Sequence, residues 1–266
     1  MIPSLGDAAP LREYLKFVDG VLLPGSLLLE DIQGELYLKQ ASQSHIPDVV
    51  ASRKLLESKI AERAPLEARY LDALRADLEA ALPLVWGRPV VSVFIGGGTP
   101  SLFSPAGIER LLGEVRALLP LVPTAEITLE ANPGTFERER FTAYRAAGVN
   151  RLSIGVQSFD DAKLAALGRV HDRAQAIAAA EEAARAFNTF NLDLMYALPG
   201  QTLAECEQDL RTALALAPTH LSLYHLTIEP NTVFASRPPT ALPDDDTGFE
   251  MLDRLIELTG TAGLQR

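Results

Sequence analysis

The chain has 266 residues and a formal net charge of −11 at pH 7. This length suffices for one large domain with a sizeable core. An acidic chain without a basic stretch argues against nucleic acid as a partner. No apolar run approaches the ~20 residues that cross a bilayer, and the first residues lack the pattern of a secretory signal. We therefore expect a cytoplasmic protein.

Cys206 is the one cysteine of the sequence. It excludes an internal disulfide framework, which fits a reducing compartment, and it excludes any metal cluster held by several cysteines of this chain. Glu205 and Glu207 flank it, and neighbouring carboxylates disfavour a thiolate. We interpret Cys206 as an incidental thiol.

Helix and strand signals alternate from about residue 66 onward. A charged helix is predicted at Ser52–Arg63, and leucines at helical spacing predict another (Leu71, Leu74, Leu78, Leu82). The strand Val90–Ile95 follows. Ser104 and Pro105 then predict the N-cap and first residue of a helix with one apolar face (Ile108, Leu111, Leu112, Val115, Leu118).

Four more strands are predicted beyond that helix, at Glu126–Glu130, Arg151–Val156, Asn191–Leu198 and His220–Ile228. The helices between and after them are predicted to end at Gly148, to run from Asp172 to Phe187 and from Glu205 to Leu216, and to begin at Asp246.

Strand starts at roughly 25–40-residue intervals are typical of consecutive βα units with a parallel sheet. An open doubly wound sheet and a barrel both fit this rhythm. Polar residues near the carboxyl end of every strand favour the barrel, because that rim carries the site in α/β barrels. The last helix has no strand after it, and residues 1–65 do not share the alternating pattern, so we expect a barrel that is incomplete at both ends.

The polar strand ends form a series. It comprises the turn Gly96-Gly97-Gly98-Thr99, then Glu130, Gln157 and Asp193, and finally Tyr224-His225-Leu226-Thr227. Glycine lets a backbone turn sharply and approach a ligand closely. The series predicts a small-molecule site at one edge of the sheet.

In order and spacing, these motifs resemble the radical S-adenosylmethionine superfamily, in the branch of anaerobic coproporphyrinogen III oxidase and related heme chaperones. The resemblance covers residues 66–266 and implies an α/β fold, a partial (β/α)6 TIM-like barrel. It implies that the amino end of S-adenosylmethionine is bound by Gly97, Gly98 and Thr99. Further contacts are implied for Glu130, Gln157, Arg169 and Asp193, with Thr227 beside the adenine.

These residue types suit that ligand. Arg169 can bind the ligand carboxylate, and a ribose diol would satisfy Asp193, whose carboxylate is costly to leave unpaired in an apolar strand. Structural alternatives stay open: an ion pair of Asp193 with a neighbouring basic side chain, and surface roles for Arg169, Glu130 and Gln157. We interpret His171 and His225 as hydrogen-bonded structural residues, and we assign no catalytic and no metal-ligating residue.

The same resemblance implies a [4Fe–4S] cluster, held by three cysteines spaced Cys-x-x-x-Cys-x-x-Cys, whose electron cleaves S-adenosylmethionine to a 5′-deoxyadenosyl radical. In this chain His45-Ile46-Pro47 matches the strand end before that loop, which puts the cysteine positions at Val49, Arg53 and Leu56. None of these side chains binds iron. We expect no cluster in this chain and weak or lost S-adenosylmethionine binding.

Residues 1–65 form an atypical segment, interpreted as fused or rearranged. Within it, the stretch from Leu15 to Gly25 resembles an early strand and turn of class I glutamine-amidotransferase-like hydrolases. The nucleophile-bearing part of such an enzyme is missing, so no hydrolase activity follows.

Three functional hypotheses remain. The chain is a radical-enzyme or heme-chaperone core without cluster chemistry, a non-catalytic protein that binds S-adenosylmethionine or heme, or a non-functional fragment. Asn132-Pro133-Gly134 and Gly168-Arg169-Val170-His171 favour the heme chaperones, with heme as a ligand and heme-receiving proteins as partners. The sequence does not predict the oligomeric state.

Overall fold

The computed structural model describes residues 27–32, 35–40, 46–97, 100–134, 140–230 and 232–265, with side chains from residue 66 onward. The chain divides into two compact units, Met1–Arg88 with Leu102–Pro120 and Pro89–Ser101 with Leu121–Arg266. Across the described ranges, no helix combines the length and the apolar character needed to cross a membrane. The hydrolase-like stretch from Leu15 to Gly25 lies outside the described residues.

The first unit contains a hairpin and two helices. Strand β1 (Leu27–Ile32) pairs antiparallel with β2 (Glu35–Gln40). Helix α1 (Ile46–Val85) unites the two helices that the sequence predicts there, and helix α2 is Pro105–Leu118. The hairpin is not among the predicted elements.

The predicted start of α2 is confirmed. Ser104 Oγ accepts a hydrogen bond from Gly107 N at 2.9 Å, and Pro105 is the first helical residue. Ser104 N in turn donates to Glu67 Oε2 of α1 at 2.9 Å. Leu71, Ile108 and Leu112 are buried, as the helical spacing of the apolar residues predicts.

The second unit is built on a five-stranded parallel sheet. Its strands are β3 (Val90–Ile95), β4 (Leu121–Ala131), β5 (Arg151–Gln157), β6 (Thr189–Tyr196) and β7 (His220–His225). They neighbour one another in chain order, whereas the order of a doubly wound sheet reverses partway. The sheet is therefore that of a partial TIM-like barrel, which confirms the predicted α/β class.

Helices follow the strands of this unit, at α3 (Phe141–Ala147), α4 (Asp161–Ala166), α5 (Arg173–Ala186), α6 (Leu203–Ala215), α7 (Val233–Ser236) and α8 (Asp245–Thr261). Gly148 ends α3 in the left-handed region at φ 111°, where glycine has no steric penalty. Asp172 caps α5 by accepting from Gln175 N at 2.8 Å. The short helices α4 and α7 were not predicted.

Four strands have bounds that differ from the predicted ones, and in β5 the difference is one residue, since the strand extends to Gln157. Strand β4 begins at Leu121, because an irregular register pairs Val90 with Leu121 and then Ser92 with Glu126. Strand β6 begins at Thr189 and ends at Tyr196, because the next residue, Ala197, has φ 57°. Strand β7 ends at His225, after which Leu226 N donates to Tyr196 O at 3.0 Å.

Candidate S-adenosylmethionine site

A polar cleft of about 230 Å³ opens at the carboxyl ends of β4, β5 and β6. Four of the predicted site residues line it, namely Glu130, Gln157, Arg169 and Asp193. The other lining residues are Pro100, Ala131, Asn132, Ser153, Gly155 and Tyr224. The structure thus brings together side chains that lie far apart in the sequence.

The glycine turn and Glu130 are joined by a hydrogen bond. Gly97 has φ +82°, a left-handed conformation that favours glycine, and its N–H donates to Glu130 Oε2 at 3.1 Å. A Cβ on Gly96 would lie 3.0 Å from the Glu130 carboxylate. Glu130 therefore organises the turn, a role the sequence did not predict. Gly98 and Thr99 lie outside the described residues.

Gln157 ends β5 in an unusual conformation. Its φ is 67°, a left-handed value that costs a residue with a side chain ~1–2 kcal/mol. Its Nε2 lies 2.9 Å from the position that a Cβ on Gly155 would occupy. The side-chain amide of Gln157 thus lies over Gly155, and both residues line the cleft.

Asp193 is bonded by neutral groups. Ser153 Oγ donates to Asp193 Oδ2 at 3.0 Å, and Asn191 Nδ2 donates to Asp193 Oδ1 at 2.8 Å. The sequence left open an ion pair with a basic side chain. Among the described residues no such ion pair involves Asp193.

Arg169 reaches the cleft from the turn between α4 and α5. Partial desolvation lowers the pKa of its guanidinium, although the residue is exposed. Two residues on, His171 is buried and its Nε2 donates to Val156 O at 3.0 Å. Burial lowers the pKa of His171, against the opposing effect of that hydrogen bond. This imidazole has a structural role, as its sequence interpretation predicts, and it anchors the turn that carries Arg169.

The loops behind the cleft are tied to the helices. Asp209 of α6 accepts from Ser158 Oγ at 2.6 Å and from Phe159 N at 2.8 Å, just after Gln157. Burial raises the pKa of the Asp209 carboxyl, and the two hydrogen bonds oppose this shift. Lys163 of α4 donates to Gly200 O at 2.7 Å, in the loop after β6. These contacts hold the loop after β5 against α6 and the loop after β6 against α4.

Thr227 is not among the residues that line the cleft. It is exposed, and its Oγ1 donates to the main-chain oxygen of His225 at 3.3 Å. Tyr224, which the sequence placed among the polar strand ends, lines the cleft, and so do Ser153 and Gly155, which the sequence reasoning missed as site residues. Alternation along β5 was the available signal, because Ser153, Gly155 and Gln157 share one face of a strand.

The described residues do not supply ligands for an iron–sulfur cluster. Val49, Arg53 and Leu56 lie within helix α1. Cys206 is 2% exposed on α6, and desolvation raises the pKa of its thiol to about 12. No group of three or more His, Cys, Asp or Glu in the described ranges is arranged to hold a metal ion.

The model of the Radical SAM superfamily matches residues 63–213, more than half of the chain. This chain belongs to the Radical SAM superfamily. One of its relatives is the heme chaperone HemW of Escherichia coli, which is 52% identical over 198 residues. The matched region is 74% of this chain and 52% of that protein. HemW of Haemophilus influenzae is 50% identical over 197 residues, 74% of this chain and 51% of that protein.

A solved structure of the radical SAM enzyme coproporphyrinogen III oxidase (HemN) from Escherichia coli is also similar. It matches with a TM-score of 0.67 and 32% identity, over 75% of this chain and 46% of HemN. The superfamily member described here therefore lies in the HemN-like branch that includes HemW. It spans about half the length of the curated relatives it matches.

Proposed function

We propose that this chain contributes the S-adenosylmethionine-binding part of a HemW-like protein of heme and porphyrin metabolism, located in the cytoplasm. The observation that carries the proposal is the convergence of Glu130, Gln157, Arg169 and Asp193 on one cleft. S-adenosylmethionine has an ammonium, a carboxylate, a sulfonium and a ribose diol. Two carboxylates, one guanidinium and an amide are complementary to those groups.

We further propose that this chain does not cleave S-adenosylmethionine reductively by itself. When bound, a [4Fe–4S] cluster supplies the electron for that cleavage in the superfamily. The ligand set of this chain does not fit the cluster, because its one cysteine is buried and resists deprotonation. Without the iron that grips the methionyl end, we expect S-adenosylmethionine to bind more weakly than in the micromolar range.

Calorimetric titration with S-adenosylmethionine tests the binding site. Glu130→Gln and Asp193→Asn should each weaken binding by roughly tenfold or more, since a hydrogen bond to a charged group contributes ~1.5–3 kcal/mol. Glu126→Gln is the matched control, because Glu126 lies on the same strand as Glu130 but outside the lining residues. Absence of binding by the wild-type protein would refute the site, and micromolar or tighter affinity would refute the expected weakness.

Anaerobic iron–sulfur reconstitution tests the proposal that this chain does not cleave S-adenosylmethionine reductively by itself. We expect no visible charge-transfer absorption and no 5′-deoxyadenosine after addition of a reductant. A stoichiometric cluster would contradict the proposal. The competing hypothesis of a non-functional fragment predicts aggregation or non-cooperative unfolding, so one cooperative unfolding transition would argue against it.

Heme is a second candidate ligand, favoured by the name of the HemW relatives, which describes them as heme chaperones. The partners would then be heme-receiving proteins. Titration with hemin, followed by its Soret absorption, tests this candidate. His171→Gln and His225→Gln should leave the spectrum unchanged, because His171 is bonded to Val156 O and the His225 ring contacts Tyr196.

A further inference from the structure

Asn191 lies beneath the cleft at the centre of a hydrogen-bond network that spans β5, β6 and β7. It is 2% exposed. Its Nδ2 donates to Ser153 Oγ and to Asp193 Oδ1, each at 2.8 Å. Its Oδ1 accepts from Ser222 Oγ at 3.1 Å. Both hydrogens of the Asn191 amide and one lone pair of its oxygen are thereby used.

The network fixes the orientation of the amide. If the amide of Asn191 were turned over, its oxygen would face the Asp193 carboxylate, and two acceptors would repel each other. Ser222 holds the opposite end by donating to Oδ1. Strand register puts the partners in place, because Ser153 lies opposite Asn191 and Asp193 lies opposite Ser222.

The same network leaves Asp193 free to receive a ligand. Each of its carboxylate oxygens accepts one hydrogen bond from a neutral donor, Asn191 on Oδ1 and Ser153 on Oδ2. A carboxylate has about four lone-pair positions in total, so each oxygen retains acceptor capacity. Asp193 and Ser153 both line the cleft. Two hydroxyls on adjacent carbons match two oxygens that are held side by side.

We propose that Asn191 is a positioning residue that aims the Asp193 carboxylate at a vicinal diol and so selects ribose over deoxygenated sugars. This inference rests on the proposed S-adenosylmethionine site, in which the ribose diol is already the group expected at Asp193, and it adds the role of Asn191. A buried polar network is costly unless every member is bonded. Leu192 and Leu194 alternate with Asn191 and Asp193 along β6 and are buried on its opposite face.

Calorimetry with two probes tests the inference, S-adenosylmethionine and its analogue lacking both ribose hydroxyls. Wild-type protein should bind the analogue less tightly. Asn191→Leu should weaken S-adenosylmethionine binding by roughly tenfold, but change the affinity for the analogue by less than about twofold. Thr128→Val is the matched control, because Thr128 is buried on β4 and bonded to Arg151, away from the network. It should change neither affinity.

If Asn191→Leu does not fold, Ser222→Ala provides a second test. It removes only the outer hydrogen bond to Asn191 Oδ1 and should give the same selective loss at about threefold. Equal losses for both probes in these variants would show a merely structural role and overturn the inference. Equal affinity of the wild-type protein for both probes would also overturn it. No binding of S-adenosylmethionine by the wild-type protein would instead refute the proposed function on which the inference rests.

Discussion

The amide of Gly97 donates a hydrogen bond to Glu130 Oε2 at 3.1 Å, which ties the turn after β3 to the carboxyl end of β4. The Glu130 carboxylate thus accepts a hydrogen bond from the glycine turn, and it also lines the cleft in which a ligand would bind. Because the turn is hydrogen-bonded to a side chain that lines the cleft, we expect substitutions in the turn to change the affinity for S-adenosylmethionine.

Gly96→Ala tests this coupling. A Cβ there would lie 2.9 Å from Phe94 Cε1 and 3.0 Å from the Glu130 carboxylate, which is closer than packing allows. Phe94 is exposed and can move aside, so we expect the main effect of the added Cβ to be displacement of the Glu130 carboxylate. We expect S-adenosylmethionine binding to weaken by roughly fivefold to tenfold, from partial loss of one charge-assisted contact.

Gly113→Ala is the control for Gly96→Ala. Gly113 is an exposed glycine inside α2, and a Cβ there meets nothing within 4 Å. This variant should keep the wild-type affinity and gain ~0.5–1 kcal/mol of stability. Unchanged affinity in Gly96→Ala would mean that Glu130 is not held by the turn.

Asp209 should make stability depend on pH. Burial raises the pKa of its carboxyl in the folded chain, with Asp160 adding to the shift and Ser158, Phe159 and Arg173 opposing it. The native state then holds the proton more tightly than the unfolded state. Its contribution to the free energy of unfolding therefore falls as pH rises from the unfolded pKa of about 3.9 through the folded pKa.

Asp209→Asn removes this titration while retaining the contacts. The amide oxygen can accept from Phe159 N, and the amide nitrogen can donate to Ser158 Oγ, so both loop contacts are replaceable. Chemical denaturation across the acidic range should show the variant gaining stability relative to wild type as pH rises. A difference that stays constant with pH would contradict the raised pKa.

Cys206 should be unreactive in the folded protein. With a pKa of about 12, the thiolate fraction at pH 8 is about one in ten thousand, and the side chain is buried. A chromogenic disulfide reagent should label it only in denaturant. Rapid stoichiometric labelling of the native protein would show that α6 opens, and Cys206→Ala provides the blank.

Two glycines of α8 should respond oppositely to alanine. A Cβ on Gly248 would lie 3.1 Å from His225 Nε2, and the His225 ring is held edge-on against Tyr196 at 5.2 Å between ring centres. A Cβ on Gly260 meets nothing within 4 Å. Gly260→Ala should therefore stabilise the protein by up to ~0.5–1 kcal/mol, whereas Gly248→Ala should destabilise it by about 1 kcal/mol.

The free energy of unfolding, measured for both variants under one set of conditions, checks this pair. Similar gains in stability would show that the His225 ring moves aside at no cost. In either case the comparison isolates the contact, because both substitutions lie in the same helix and have the same effect on helix propensity.

The sequence predicted the elements well where the signal is local. Ser104 and Asp172 cap helices by bonding backbone groups a few residues on, and Gly148 ends a helix through its own conformation. The parallel pairing of the strands followed from their spacing, whereas their order in the sheet was decided by the tertiary structure. The boundaries of β4 and β7 did not follow from local signals, because they depend on pairing with a neighbouring strand, and β6 ends where Ala197 takes a left-handed conformation.

At the candidate site, too, the residue types followed from the sequence and the contacts between strands from the tertiary structure. By itself, the sequence determined the family resemblance, the polar residues at the strand ends and the lack of cluster cysteines, since these are properties of residue type and order. The tertiary structure decided that Glu130 binds the Gly97 amide and that Asn191 holds Asp193 together with Ser153. The contacts of Glu130 with Gly97 and of Asn191 with Ser153 join residues separated by a helix in the chain, so they exist only once parallel pairing has set the register.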